Sequence, residues 1–251
     1  MHKTADRIYI GKIPVDLLSW ESILSRIDSF IQNKKPTQIV TFNSLMYNFS
    51  CRDQELENSI VNAGLVLPDS IGIAALIYLL SGKQYQKPRR KPGIDLMLKI
   101  CEMAALHSWK IFLLGSKPEI VKITVEKLKT RFPGINIAGF HDGFFKPQQE
   151  VNIFNEIRQS NAAIVFVGLD VPRQEKWIFE NLRNINIPII MGVGGSFDVI
   201  SGKLKRAPGW MQALGLEWFY RFAQEPWRIT RIKDLPVFAL KALNLIFQKH
   251  L

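Results

Sequence analysis

Asp69 stands where a short apolar run, LVLP (65–68), gives way to an apolar stretch beginning at Ile71. A carboxylate at such a strand-to-helix turn has two ordinary uses. It caps the helix by accepting from first-turn amides, or it takes a proton from a hydroxyl as a general base. Thr41 and Asn43 end a similar run, QIVTFNS (38–44). Polar side chains there need partners, which a substrate or a neighbouring loop can supply. Gln174 and Glu175 lie in PRQEKW (172–177), directly after AAIVFVGLD. They are placed to bond a ligand hydroxyl or to form a first-turn charge arrangement. The run GKQYQKPRRKPG (82–93) holds five cations and no acid. Most such runs are solvated loops, but an arginine in one is also the natural clamp for a diphosphate. His141, in GFHDGFF, reads as a loop residue rather than a catalyst.

The elements that must position these residues follow from the hydrophobic pattern. Short apolar runs alternate with amphipathic stretches, which predicts an α/β fold, Rossmann-like, with a largely parallel sheet and helices on both faces. Trp20, Ile23, Leu24, Ile27, Phe30 and Ile31 fall on one helical face. A helix is expected from the end of QIVTFNS to about Asn62, another from Ile71 to Leu80, and a third over IDLMLKICEMAALHSW. KIFLLGS (110–116), INIAGF, AAIVFVGLD and IPIIMGVGG read as further strands. Pro118 opens the helix after KIFLLGS, at the first-turn position proline prefers. In such sheets ligands collect at the carboxyl ends of the strands. Those ends are Thr41-Phe42-Asn43, Pro68-Asp69-Ser70, Gly115-Ser116, Gly168-Leu169-Asp170 and Gly192-Val193-Gly194-Gly195. Glycines there let an anion approach backbone amides, and the helix N-termini that follow favour phosphate.

The 251 residues fit one large domain or a domain with an appendage, and the natural boundary is 1–201 followed by 202–251. The net charge is +11, and from Ser201 onward nine Lys/Arg stand against three Asp/Glu. Basic and apolar residues together suit an anionic membrane surface; basic residues alone would suit nucleic acid equally well. In PVFALKALNLIFQ (236–248), Lys241, Asn244 and Gln248 form one narrow polar stripe on an otherwise apolar helix. Such a helix packs onto its own domain, onto a sister subunit in a homo-oligomer, or into a bilayer interface. Trp210, Trp218 and Trp227 suit that interface. There is no signal-like opening and no apolar run of spanning length, so a cytoplasmic location is expected. Cys51 and Cys101 are expected to be buried reduced thiols.

Two function classes other than a transferase fit parts of this pattern. A basic nucleic-acid-binding module without catalysis explains the charge, but neither the strand-end polar residues nor the apolar tail. A nicotinamide-dependent oxidoreductase fits the fold, but GVGGSFD breaks G-x-G-x-x-G at Phe197.

The stretches TFNS, PDSIGI, RKPGIDL, IFLLGS, GLDVPRQEKW, GVGGSFDVISGKLKRAP and GLEWFYRFAQEPWR together resemble the WecG/TagA/CpsF family of bacterial glycosyltransferases, glycosyltransferase family 26. The resemblance implies an inverting, metal-independent transfer with no cofactor. The donor is UDP-linked N-acetylmannosamine or its uronic acid, and the acceptor is a polyprenyl-diphosphate-linked sugar. The product feeds teichoic acid or another surface polysaccharide. No D-x-D pair is present, so arginines and helix termini are expected to replace a divalent metal. The family's polar pocket maps to Thr41 and Asn43, its base to Asp69 and its P-x-Q-E glutamine to Gln174. The arginine three positions before Gly93 maps to Arg90, and the C-terminal arginines map to Arg221, Arg228 and Arg231. Where the family often has D-G-I-G, this chain has Asp69-Ser70-Ile71-Gly72. The expected enzyme therefore works peripherally on the inner face of the cytoplasmic membrane. Asp69 is its base and Arg90 assists the leaving group. Thr41, Asn43 and Gln174 orient the sugars, and the tail arginines neutralise UDP.

Overall fold

The computed structural model describes residues 7–82, 90–228 and 233–249. Its centre is a six-stranded, all-parallel sheet made of β3 (Thr37–Phe42), β4 (Leu65–Pro68), β5 (Lys110–Gly115), β6 (Asn136–His141), β7 (Ile164–Gly168) and β8 (Ile189–Gly192). The spatial order is β4-β3-β8-β7-β5-β6. The near-continuous apolar runs noted in the sequence are the mark of strands covered on both faces.

Side-chain alternation along the strands sorts two cores. Ile39, Leu65, Leu67, Ile111, Leu113, Ile164, Phe166, Ile189 and Met191 face a layer that includes α1 (Trp20–Asn33), α5 (Gly93–His107) and α6 (Pro118–Arg131). On the opposite face, Val40, Phe42 and Val66 meet α2 (Ser44–Ser50), α3 (Gln54–Val61) and α4 (Ile71–Leu80). Further along that face, Phe112, Leu114, Val165, Val167 and Ile190 meet α7 (Glu150–Gln159) and α8 (Arg173–Ile185). The antiparallel hairpin β1 (Arg7–Ile10) and β2 (Ile13–Asp16) protects the β4 edge. There the buried Asp16 carboxylate accepts from the Val66 N–H at 2.9 Å and is itself held by Arg7 at 2.8 Å. An edge amide that would otherwise invite another strand is thereby satisfied.

The stretch expected to be one helix up to Asn62 is two. Asp53 takes extended backbone and its side chain accepts from the Leu56 N–H, starting α3 as a new helix after α2 has ended at Ser50. A short polar cap competes well with helix continuation, which is why the single helix breaks there. Both cysteines are free, but only Cys101 is buried; Cys51 is exposed because it closes α2 at the surface.

After β8 the chain forms α9 (Ser196–Ile200), α10 (Gly209–Ala213), α11 (Glu217–Gln224), a 3-10 turn Pro226–Arg228, and α12 (Asp234–Lys249). α12 docks on α2 and α4 through Phe238, which is buried and meets the Tyr47 ring edge-on with centroids 5.7 Å apart. Asn48 donates to the Asp234 carbonyl at 2.6 Å, and Lys241 donates to the Asn48 carbonyl at 3.2 Å. The other side of α12 leaves Val237, Leu240, Leu243 and Phe247 exposed. Among the described residues no helix is long and apolar enough to cross a membrane.

Candidate active site

The carboxyl ends of β3, β4, β7 and β8 open into one cavity of about 280 Å³. Thr41, Asn43, Asp69, Gln174 and Arg221 all line it, with the Gly192–Ser196 loop, Lys205, Arg206 and Glu217. A second cavity of about 370 Å³ shares Asn43, Asp69, Glu217, Trp218 and Arg221 with the first and adds Ile71, Arg90, Phe222, Leu235 and Phe238. Asp69 therefore belongs to both. The β5 end, Gly115-Ser116, lines neither; Ser116 instead accepts from the Gly143 N–H at 2.8 Å.

Asp69 is freed for chemistry by its neighbour. Ser70 takes the helix cap, its hydroxyl accepting from the Ile73 N–H at 3.3 Å, so the capping alternative for Asp69 does not apply. Ser70 thus caps α4, and its hydroxyl also meets the Ser44 hydroxyl at 3.0 Å. Asp69 accepts instead from the Gly93 N–H at 3.2 Å, at the start of α5. A Cβ at Gly93 would come within 2.9 Å of the Thr41 hydroxyl oxygen, so a larger residue there would push the Thr41 side chain aside. Burial pushes the Asp69 carboxyl up to about 7. The Gly93 amide opposes that rise, the Glu217 charge adds to it, and Arg90 and Asn43 oppose it. A carboxylate near 7 is well matched to general-base work at neutral pH.

Asn43 has a second duty. Its side-chain oxygen accepts from the Leu45 and Met46 amides at 3.1 and 3.0 Å, capping α2. Gln174 is buried, and both ends of its amide are engaged inside the protein. Its oxygen accepts from the Gly194 N–H at 2.8 Å and its nitrogen donates to Glu175 at 2.6 Å. Its contribution to the cavity is the wall it forms against Gly192, where a Cβ would collide with the amide.

Arg90 sits on the second-cavity side of Asp69. It donates to the Glu217 carboxylate at 2.7 Å and to the Gln212 carbonyl. Glu217 also faces Arg206 at 3.7 Å, and Arg206 pairs with Asp95 at 2.7 Å. Of the other cations in the 82–93 run, Lys91 lies over the Trp20 ring at 4.5 Å, and Lys83, Lys87 and Arg89 lie outside the described residues. Arg221 pairs with Glu225 at 3.0 Å and lays its guanidinium against Gly195, leaving no room for a Cβ there. Its Nη2 is buried without a hydrogen-bond partner among the described residues. An unpaired guanidinium nitrogen over a glycine-rich strand end is an arrangement that suits an anion. Arg228 ends the 3-10 turn, but its side chain and all of Arg231 lie outside the described residues.

Residue-by-residue reading misses two participants, Glu217 and Arg206, and expects Glu175 as a ligand-hydroxyl partner or a first-turn charge, not as the deeply buried group it is. All three lie in quoted stretches, GLEWFYRFAQEPWR, GKLKRAP and PRQEKW. Their roles depend on contacts 111 to 127 residues apart along the chain, or on depth of burial, which spacing does not report. His141 bonds the neighbouring Asp142 carbonyl at 2.8 Å and lines neither cavity. Among the described residues no group of three or more His, Cys, Asp or Glu is placed to hold a metal ion.

A parallel sheet whose strand ends gather a high-pKa carboxyl, a glycine-rich loop and arginines has the parts of an enzyme that transfers a group from a phosphorylated donor. The chain belongs to the glycosyl transferase WecG/TagA/CpsF family, whose model matches residues 8–250. It is 34% identical over 215 residues to an N-acetylglucosaminyldiphosphoundecaprenol N-acetyl-β-D-mannosaminyltransferase of Bacillus subtilis strain 168, covering 86% of this chain and 82% of that one. A protein of the same name from Bacillus spizizenii is 33% identical over 224 residues, covering 89% and 85% of the two chains. A third, from Staphylococcus aureus strain MW2, is 31% identical over 237 residues, covering 94% and 91%. The protein is thus a glycosyltransferase.

Proposed function

We propose that this enzyme transfers N-acetylmannosamine, or its uronic acid, from a UDP-linked donor to a polyprenyl-diphosphate-linked N-acetylglucosamine at the membrane surface. The observation that carries the reading is Asp69, a carboxyl raised to about 7 at the junction of two cavities. The first cavity, with its glycine-rich β8 loop, Arg221 and Arg206, suits the donor diphosphate. The second is walled by Ile71, Trp218, Phe222, Leu235 and Phe238 and suits an acceptor that carries an apolar lipid.

In the proposed reaction an acceptor hydroxyl attacks the donor's anomeric carbon while Asp69 takes the hydroxyl proton. The bond from that carbon to the diphosphate oxygen breaks, and UDP leaves with both electrons. Arg221 meets charge that grows as the bond breaks, so it favours the transition state over the bound donor. Arg90, paired with Glu217, holds the roof of the site beside Asp69, and Thr41 offers a hydroxyl to the sugar. The role of Gln174 is to shape the wall. Arg228 and Arg231 are assigned to the leaving group on resemblance alone.

A panel of UDP-sugars, assayed for UDP release with a polyprenyl-diphosphate-linked N-acetylglucosamine, tests the reading. Turnover should be greatest with UDP-N-acetylmannosamine or its uronic acid and should survive excess EDTA. Turnover that ends on chelation and returns with Mg²⁺ would overturn the metal-independent scheme. UDP but not NAD should raise the Tm, since ligands that bind the native state stabilise it.

The membrane side of the proposal rests on exposed apolar groups. Trp210, Leu214, Trp218, Phe219, Trp227, Leu240, Leu243 and Phe247 are exposed on the helices that cover the site. Large apolar groups among cations suit an anionic interface. Leu240→Ser with Phe247→Ser should weaken binding to anionic liposomes about tenfold with little change in UDP binding. Unchanged liposome binding would remove α12 from that role.

A further inference from the structure

Glu175 lines neither cavity, yet it is among the most deeply buried ionisable groups of the protein, 1% exposed at the start of α8. A carboxyl in such a place is costly unless it does something. Its Oε1 accepts from the Gln174 amide nitrogen at 2.6 Å, and the Gln174 oxygen accepts from the Gly194 N–H at 2.8 Å. Glu175 and the Gly194 N–H together fix which way the Gln174 amide faces. Turned over, that amide would present its NH₂ to the Gly194 N–H, donor against donor.

Gly194 is a residue whose orientation needs fixing. Its φ is +51°, in the left-handed region, and it lies between Gly192 and Gly195 in the loop that lines the donor cavity. Three glycines among four residues cost conformational entropy to order. The chain from Glu175 through Gln174 to Gly194 is a side-chain anchor on this loop's backbone amides. The backbone on the far side is fixed as well, because Gln38 on β3 donates to the Glu175 carbonyl at 3.1 Å.

The remaining oxygens agree with an uncharged carboxyl. Glu175 Oε2 and Gln38 Oε1 are both buried without partners. Burial pushes the Glu175 carboxyl up to about 7, opposed by the bonds from Gln174 and from its own backbone. A proton on Oε2 turns one orphaned acceptor into a donor. The nearest cation in sequence, Lys176, is committed to Asp53 and Glu55 at the surface.

We infer that Glu175 is a positioning residue for glycosyl transfer: it locks the Gln174 amide so that Gln174 holds the Gly194 amide, and with it the glycine loop, in the conformation that receives the donor's diphosphate. The inference rests on the donor-cavity reading for its consequence, but the link itself is independent of any ligand.

Two variants of the full chain separate the possibilities. Glu175→Gln keeps an oxygen for the Gln174 amide and supplies a donor where Oε2 stood. Glu175→Met keeps the volume and removes both. The expected result is that the Gly194 amide of the ligand-free protein exchanges at least about tenfold faster in Glu175→Met than in wild type, with Glu175→Gln close to wild type. UDP binding by calorimetry should weaken about tenfold in Glu175→Met and less than about threefold in Glu175→Gln, with the donor KM rising more than kcat falls. Unchanged Gly194 exchange in a folded Glu175→Met protein overturns the inference, as does a Glu175→Gln protein that loses protection to the same extent. Should Glu175→Met not fold, Gln174→Met cuts the same link from its other end, and slow Gly194 exchange there overturns it equally. If wild type shows the exchange pattern but does not bind UDP, the donor reading fails and the positioning link stands.

Discussion

The floor of the cavity and its roof are held in different ways. The floor is the ends of β3, β4, β7 and β8, where strands whose buried side chains fill both faces of the sheet stop and present Thr41, Asp69 and the glycine loop. The roof is α11 with its neighbours, tied down by polar contacts. Glu217 reaches Arg90 at 2.7 Å, and Gln224 accepts from the Lys205 N–H at 2.8 Å and donates to its carbonyl at 2.9 Å. Gly215 lies so close to Ile71 that a Cβ would meet it at 2.7 Å, and α11 has no fully buried residue. The proposed base, Asp69, thus sits on the part with the larger buried core and the cation Arg221 on the part with the smaller one. Elements with few buried apolar contacts open more readily. In the proposed reaction that division gives proton transfer a fixed floor and gives the lipid-linked acceptor a roof that opens more readily.

The division can be broken most severely at Asp69. Asp69→Asn should lower kcat by about 100-fold or more while leaving UDP affinity within a few-fold, because it removes the base and not a donor contact. Near-normal turnover would take the base away from the floor. Arg221→Ala should reduce kcat/KM about 30-fold, with most of the loss in kcat, as expected for a cation that matters when the leaving oxygen charges. An equal loss with Gly195→Ala, whose methyl would strike the Arg221 guanidinium, would show that the roof cation works against the floor loop. A normal Gly195→Ala enzyme would show that it does not.

The pH dependence separates the two regions further. As the proposed base, Asp69 must be ionised, and its carboxyl is raised to about 7, so kcat/KM should climb with pH and level off above about 7. At pH 6 it should stand about tenfold below the plateau. Flat activity from pH 5 to 8 would remove Asp69 from the rate equation.

The smallest effect is on stability. Glu175 is raised from 4.5 to about 7 in the fold, so the native state holds its proton more tightly than the unfolded chain. That contribution is full below about pH 4.5 and is lost as pH rises through about 7. Glu175→Gln has no such dependence, and its Tm advantage over wild type should widen by a few degrees between pH 5 and pH 8. A constant gap would mean that the carboxyl is ionised throughout.

The sequence by itself determined the parallel sheet and the identity of the floor. Uninterrupted apolar runs require strands covered on both faces, and each ends in the polar or glycine residue that the β-to-α turn exposes. Thr41, Asn43 and Asp69 were legible for that local reason. The tail's basic and apolar character was legible as composition, and its last helix was legible as periodicity over 236–248, within the Asp234–Lys249 that the structure shows. Tertiary structure alone decided that Ser70 rather than Asp69 caps α4, since both have capping side chains and only packing against Ser44 and Gly93 separates them. It also decided that Gln174 turns inward and that Glu217 joins Arg90 to Arg206. Those outcomes depend on burial and on charges brought together from distant parts of the chain, and neither is written in the spacing of residues along one strand or helix.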